Sequence, residues 1–172
     1  MTEEKRKYIN YSFRWGSIIG FITFILLLTG FYTHLDKQNI FSDIYFFIQM
    51  LLIIFMLIQY KRILDPPATF LRLFYIGFLA ALVIAVFYSL YYILLIAKLD
   101  PLFFDNYMYD AAKMLKDSMG IDYSSANNPS TAILMKISFI ITTFISSLIS
   151  SVIYILLSCL CIKINERLFQ KR

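Results

Sequence analysis

Four charge-free apolar runs constrain this chain more than any other feature: residues 15–33, 44–60, 73–97 and 137–162. Charged residues bracket every run: Arg14 and Asp36, Asp43 and Lys61, Arg72 and Lys98, Lys136 and Lys163. A bilayer core is about 30 Å thick and takes a helix of about 20 apolar residues. Lipid offers no water to exposed backbone groups, so each run must satisfy its own hydrogen bonds as a helix. The expectation is an all-α, integral membrane four-helix bundle, a single domain over residues 1–172. Its helices cover about 15–33, 44–60, 73–97 and 137–162, with a long loop at 98–136. Hydrophobic residues make up 60% of the chain, above the roughly 45–50% of soluble proteins, and the surplus covers lipid-facing surface. The first run is longer than the roughly 7–15 apolar residues of a secretory signal, and it ends in Phe31, Tyr32, Thr33 and His34. It reads as a retained helix.

Basic residues set the orientation. Residues 1–14 carry four Lys or Arg, 61–72 three and 163–172 four, whereas 34–43 carry one and the long 98–136 segment four. Lys and Arg favour the cytoplasmic side of a membrane, so both termini are expected in the cytoplasm. The net charge of +5 is then attraction to anionic lipid, not a nucleic-acid surface. Trp15, Tyr32, Tyr45 and Tyr60 fall at span edges, where amphipathic rings settle. The basic and aromatic stretch 5–14 (KRKYINYSFR) reads as an interface-bound lead-in, or as a lipid-headgroup site.

The connections set neighbours. Segment 61–72 contains Asp65, Pro66 and Pro67 and is short; proline blocks helix and restricts its predecessor. Helices 2 and 3 are therefore antiparallel neighbours, and the short 34–43 link does the same for helices 1 and 2. Within 98–136, Asp100-Pro101 is a helix-start signal. Met108, Ala112, Leu115 and Met119 then form one apolar stripe, followed by Gly120, a plausible stop. An amphipathic helix is expected over about 105–119 on the outer surface, its stripe roofing the bundle, resting on lipid or binding a partner. Ser130 or Thr131 can cap the last span.

Small residues mark helix seams: Gly16 and Gly20 on the first span; Gly77, Ala81, Ala85 and Ser89 on the third; Thr142, Ser146 and Ser150 in one row of the last, with Thr143, Ser147 and Ser151 in the next. In lipid, close backbone approach and small hydroxyls replace the hydrophobic effect as helix glue. The second span lacks such a ridge and reads as peripheral. The same ridges also suit a homo-oligomer, and the sequence leaves that choice open.

Chemistry is sparse. No ionisable group lies inside a run, which disfavours a proton-coupled transporter. The single His34, the absence of a phosphate loop and the lack of metal-ligand spacing leave no catalytic set; no enzyme, cofactor or metal is expected. Cys159 and Cys161 read as buried free thiols. Gln49, Tyr88, Tyr91, Tyr92, Thr142, Thr143 and Ser146 lie in the outer halves of their spans, below His34, Asp36, Asp100 and Asp105. They are candidates for an outward-opening polar pocket or for interhelical hydrogen-bonding glue.

The chain resembles a bacterial membrane family catalogued as domain of unknown function 4199. The likeness rests on Trp15, Gly16 and Gly20 opening the first span, Pro101, Phe103, Phe104 and Tyr107 opening the long loop, and a Ser-rich last span (146–151, SSLISS) ending in basic residues. The resemblance implies no activity and no functional residue. It implies a partner class, glycosyltransferases acting on polyprenyl phosphates. Two functions are therefore expected in competition: a non-catalytic membrane subunit or scaffold for a membrane-associated protein, and a small transporter or flippase component handling lipids or amphiphiles.

Overall fold

A computed structural model of the chain describes residues 3–34, 39–63, 69–119 and 129–169. It contains five α-helices among those residues: α1 (Glu3–Tyr32), α2 (Asn39–Ile63), α3 (Phe70–Leu94), α4 (Phe103–Met119) and α5 (Pro129–Phe169). Four helical stretches are long and apolar enough to cross a membrane: Arg6–Tyr32, Ile44–Arg62, Phe70–Leu99 (α3 with the π-helical turn that ends it) and Ile133–Lys163. The spans alternate in direction. Tyr8 of α1 meets Tyr60 of α2 and the Arg72 guanidinium of α3 at the terminal end. Tyr45 of α2 meets Tyr88 of α3 at the opposite end, where α4 lies.

α3 is the central element, lying closely along both α1 and α5. Small residues cause this. A β-carbon on Gly16 would stand 2.9 Å from the Ala80 carbonyl oxygen and from the Val83 β-carbon; one on Gly20 would stand 2.5 Å from the Phe87 ring. On the other side of α3, a β-carbon on Gly77 would stand 2.6 Å from Ile155 of α5. Ala81 and Ala85 are fully buried on α3. The glycine and alanine ridges of α1 and α3 thus close seams within one chain.

α5 departs from the expected row. Ser147 and Ser151 are buried, whereas Ser146 and Thr142 are exposed and Ser150 is half-buried. Neighbouring rows on a helix point about 100° apart, so only one can face α3; the exposed flank carries Ile141, Ile145 and Ile149 instead.

α2 is not merely peripheral. Its Ile53, Met56, Leu57 and Tyr60 are buried in the main core with Ile19, Leu73, Ile76, Ile84 and Ile155. Their i, i+3, i+4, i+7 spacing is one helix face, while Phe47, Leu51 and Phe55 face outward. Without small residues α2 reaches the core through long side chains and keeps its backbone farther from its neighbours.

Two boundaries shift. The lead-in 5–14 is continuous helix with α1. Tyr11 sits against Tyr60, with ring centroids 5.2 Å apart, and its hydroxyl donates to the Met56 carbonyl of α2 at 2.8 Å. Ser12 is fully buried, so this stretch is bundle rather than an interface-bound approach. α5 begins at Pro129, before Ser130 and Thr131, since proline at a first helical position loses no hydrogen bond. Its 41 residues extend about 60 Å, twice the hydrocarbon thickness, so its ends lie outside the lipid core. Asp36, Asp65, Pro66, Pro67, Gly120 and the turn 122–128 lie outside the described residues.

Candidate functional site

The end bearing α4 holds the residues expected to form a polar pocket. Gln49 is 3% exposed, and its Nε2 donates to Ser151 Oγ of α5 at 3.1 Å. A carboxamide buried among spans needs such a partner, because lipid provides none. Thr142 is exposed, and its hydroxyl donates to the Ser138 carbonyl one turn back in its own helix. Tyr88 stacks on Tyr45 at 6.2 Å, and its hydroxyl lies 3.4 Å from that of Tyr92. Tyr92 packs edge-on against Phe139 at 5.7 Å. The candidates therefore divide: Gln49 joins α2 to α5, Tyr88 and Tyr92 belong to an aromatic cluster, and Thr142 lines a separate surface groove between α4 and α5. His34 ends α1 in the left-handed region, with φ 56°, a conformation for which histidine is one of the enriched residues.

Phe139 is the hub of the aromatic cluster. Besides Tyr92 it meets Phe103, Phe104 and Tyr107, with centroids 5.0–6.2 Å apart. These contacts hold the start of α4 on the bundle. The turn before α4 is fixed as well: Asp100 Oδ1 accepts from the Leu102 amide at 3.2 Å, and its carbonyl accepts from Phe103 N at 3.0 Å. Asp100 and Pro101 thus form the turn that leads into α4, whose first residue is Phe103 rather than the expected Pro101. Lys136 of α5 lies over the Phe104 ring at 5.5 Å.

Phe104 is 2% exposed and precedes Met108 by one turn on the same stripe. Met108 is half-buried beside a groove of about 340 Å³ that also touches Leu134, Met135 and Phe139 of α5. The stripe expected to bind a partner therefore begins on the bundle side. The side chains of Ala112, Leu115 and Met119 lie outside the described residues. Sequence reasoning missed Phe104 as the anchor, although extending the stripe by i−4 from Met108 reaches it. Phe139 gave no signal among other apolar residues. On the opposite face of α4, Tyr109 is 71% exposed, with Asp105, Asn106, Asp110, Lys113 and Asp117 also exposed.

Cys159 is buried and Cys161 exposed. The expectation of buried thiols thus holds for the first and fails for the second, because residues two apart point to different sides of a helix. Among the described residues no three His, Cys, Asp or Glu side chains gather as a metal-binding group.

An α-helical bundle with four membrane-length apolar helices and a short amphipathic helix across one end is a multi-pass membrane protein. The chain belongs to the family described as protein of unknown function DUF4199, whose model matches residues 14–163. No curated protein and no solved structure matches it.

Proposed function

We propose that this chain is a non-catalytic membrane subunit that positions a membrane-associated protein at the end where α4 lies. The single observation carrying this reading is the mounting of α4. Its inner side is anchored by Phe104 on Phe139, while its outer side presents Tyr109 and a row of mixed charges. A rigid helix with an exposed tyrosine and complementary charges suits protein recognition, where tyrosine is enriched. The lipid-handling alternative needs Gln49, Tyr88, Tyr92 and Thr142 to line an open polar pocket. Gln49 is instead paired with Ser151, and Thr142 lines a groove that none of the other three reaches, which supports the scaffold reading. The family resemblance adds a partner class, polyprenyl-phosphate glycosyltransferases. In this reading the protein sits in a bacterial inner membrane with both termini in the cytoplasm, and no enzyme activity of its own is proposed.

The test is affinity purification in mild detergent with mass spectrometry of co-purifying proteins. Tyr109→Asp places a charge on the outer face of α4 without touching Phe104 or Phe139. The expected result is loss of one specific membrane protein, with thermal stability unchanged within about 0.5 kcal/mol, as for surface substitutions generally. Recovery of that protein at the wild-type level with Tyr109→Asp would overturn the docking face.

A further inference from the structure

α1 and α3 touch closely at Gly16 and Gly20 and leave a groove beyond, toward the α4 end. Its volume is about 460 Å³, within the roughly 300–1,000 Å³ of small-ligand sites. Phe21 and Phe24 line it from α1; Phe87, Leu90 and Leu94 line it from α3; Ala97 and Lys98 complete it. Lys98 lines it through its aliphatic stem alone, so the lining itself is wholly apolar. Phe21 and Leu90 are exposed where no other helix covers them, so within a bilayer the groove opens on hydrocarbon.

The mouth of the groove is shaped by the end of α3. Residues Leu95–Leu99 leave α-helical geometry and form one π-helical turn, closed by Asp100 N donating to the Leu95 carbonyl at 2.8 Å. Such a turn at a helix C-terminus is one way of satisfying the last carbonyls, and here it widens the end of α3. This one carries Ala97 and Lys98, the two residues at that end of the lining. The groove is apolar throughout, and the exposed Lys98 side chain borders it at the end nearest α4.

We infer that the groove between α1 and α3 is a binding site for an anionic phospholipid of the surrounding bilayer, one acyl chain lying along Phe21, Phe24, Phe87 and Leu90 and the headgroup phosphate meeting Lys98. The apolar lining selects a hydrocarbon chain, and the single cation at interfacial depth selects a negative headgroup over a neutral one. The site does not depend on a protein partner and stands apart from the outer face of α4.

The test is native mass spectrometry of the full chain, released from mild detergent containing equal amounts of phosphatidylglycerol and phosphatidylcholine. Wild type should retain phosphatidylglycerol preferentially. Lys98→Gln should lower that preference about fivefold, the effect of one cation near a membrane surface, while Lys136→Gln, at the same end but stacked on Phe104, should leave it unchanged. Ala97→Phe, at an exposed position, should fill the mouth and reduce retention of bound lipid. Equal retention of both lipids by wild type would overturn the inference. So would an unchanged preference in Lys98→Gln, an equal loss in Lys136→Gln, undiminished retention in Ala97→Phe, or recovery of the chain as a lipid-free dimer.

Discussion

Gly16 and Gly20 look equivalent in the sequence, yet their surroundings differ. The nearest atoms to a β-carbon at Gly16 are the Ala80 carbonyl oxygen and α-carbon and the Val83 β-carbon, all part of or fixed to the α3 backbone; at Gly20 the two nearest are ring atoms of Phe87, with its β-carbon at 3.1 Å. Backbone cannot move without shifting a whole helix, whereas a ring at a lipid-open groove can turn. Gly16→Ala should therefore destabilise the protein by about 1–3 kcal/mol, in the range of overpacking substitutions. Gly20→Ala should cost less. Thermal unfolding in detergent compares the two, and equal costs would mean that α3 yields as readily as the Phe87 side chain. Gln49 shows a second residue-scale lesson. Its type marked it as polar in an apolar run, but only the three-dimensional register of α2 against α5 pairs it with Ser151 rather than with a ligand.

At the scale of elements, α5 presents two hydroxyl rows with different fates. Ser151 is fully buried, whereas Ser146 faces outward. Ser151→Leu should collapse the thermal transition, because it drives a large side chain into the α2–α5 seam and removes the Gln49 partner. Ser146→Leu should leave the transition in place, since an added apolar side chain there meets only lipid. The opposite ranking would mean that α5 is rotated from the register described. The number of spans, their approximate limits and the turn at Asp100-Pro101 ahead of α4 were legible in the sequence. Each follows from local chemistry: charge flanks, proline, a capping carboxylate. The close pairing of α3 with α1 was not legible: short links marked α2 as the neighbour of both, and α2 lies only loosely along α3. The choice between the Ser146 and Ser147 rows was not legible, because both have the same spacing and composition. The core face of α2 was hidden for a related reason. Apolar residues surround that helix on every side, so no polar contrast marks Ile53, Met56, Leu57 and Tyr60 as the buried stripe. The π turn at Leu95–Leu99 likewise left no local mark.

For the whole molecule, the seams at Gly16, Gly20 and Gly77 all close between helices of one chain, so the bundle is self-contained and its outer surfaces are left for lipid and partners. The proposed orientation rests on basic flanks, and reporter fusions at residue 172 and at Asn127 should give opposite signals, with the C-terminus cytoplasmic; an outward C-terminus would reverse which leaflet meets Lys98 and α4. The self-contained bundle is the central claim, and one cross-link tests it most directly. In a background of Cys159→Ser and Cys161→Ser, Gly77→Cys and Ile155→Cys replace the residues at the closest α3–α5 approach. Removing the Ile155 branches clears the space that a β-carbon on Gly77 would enter at 2.6 Å. The two β-carbons are then close enough for a disulfide, whose Cβ separation is roughly 3.5–4.5 Å. Mild oxidation in native membranes should join the pair within one chain, leaving a monomer on a non-reducing gel with no free thiol. A disulfide-linked dimer of the double variant, with neither single variant dimerising on its own, would show that α3 and α5 meet between chains and would contradict the fold described.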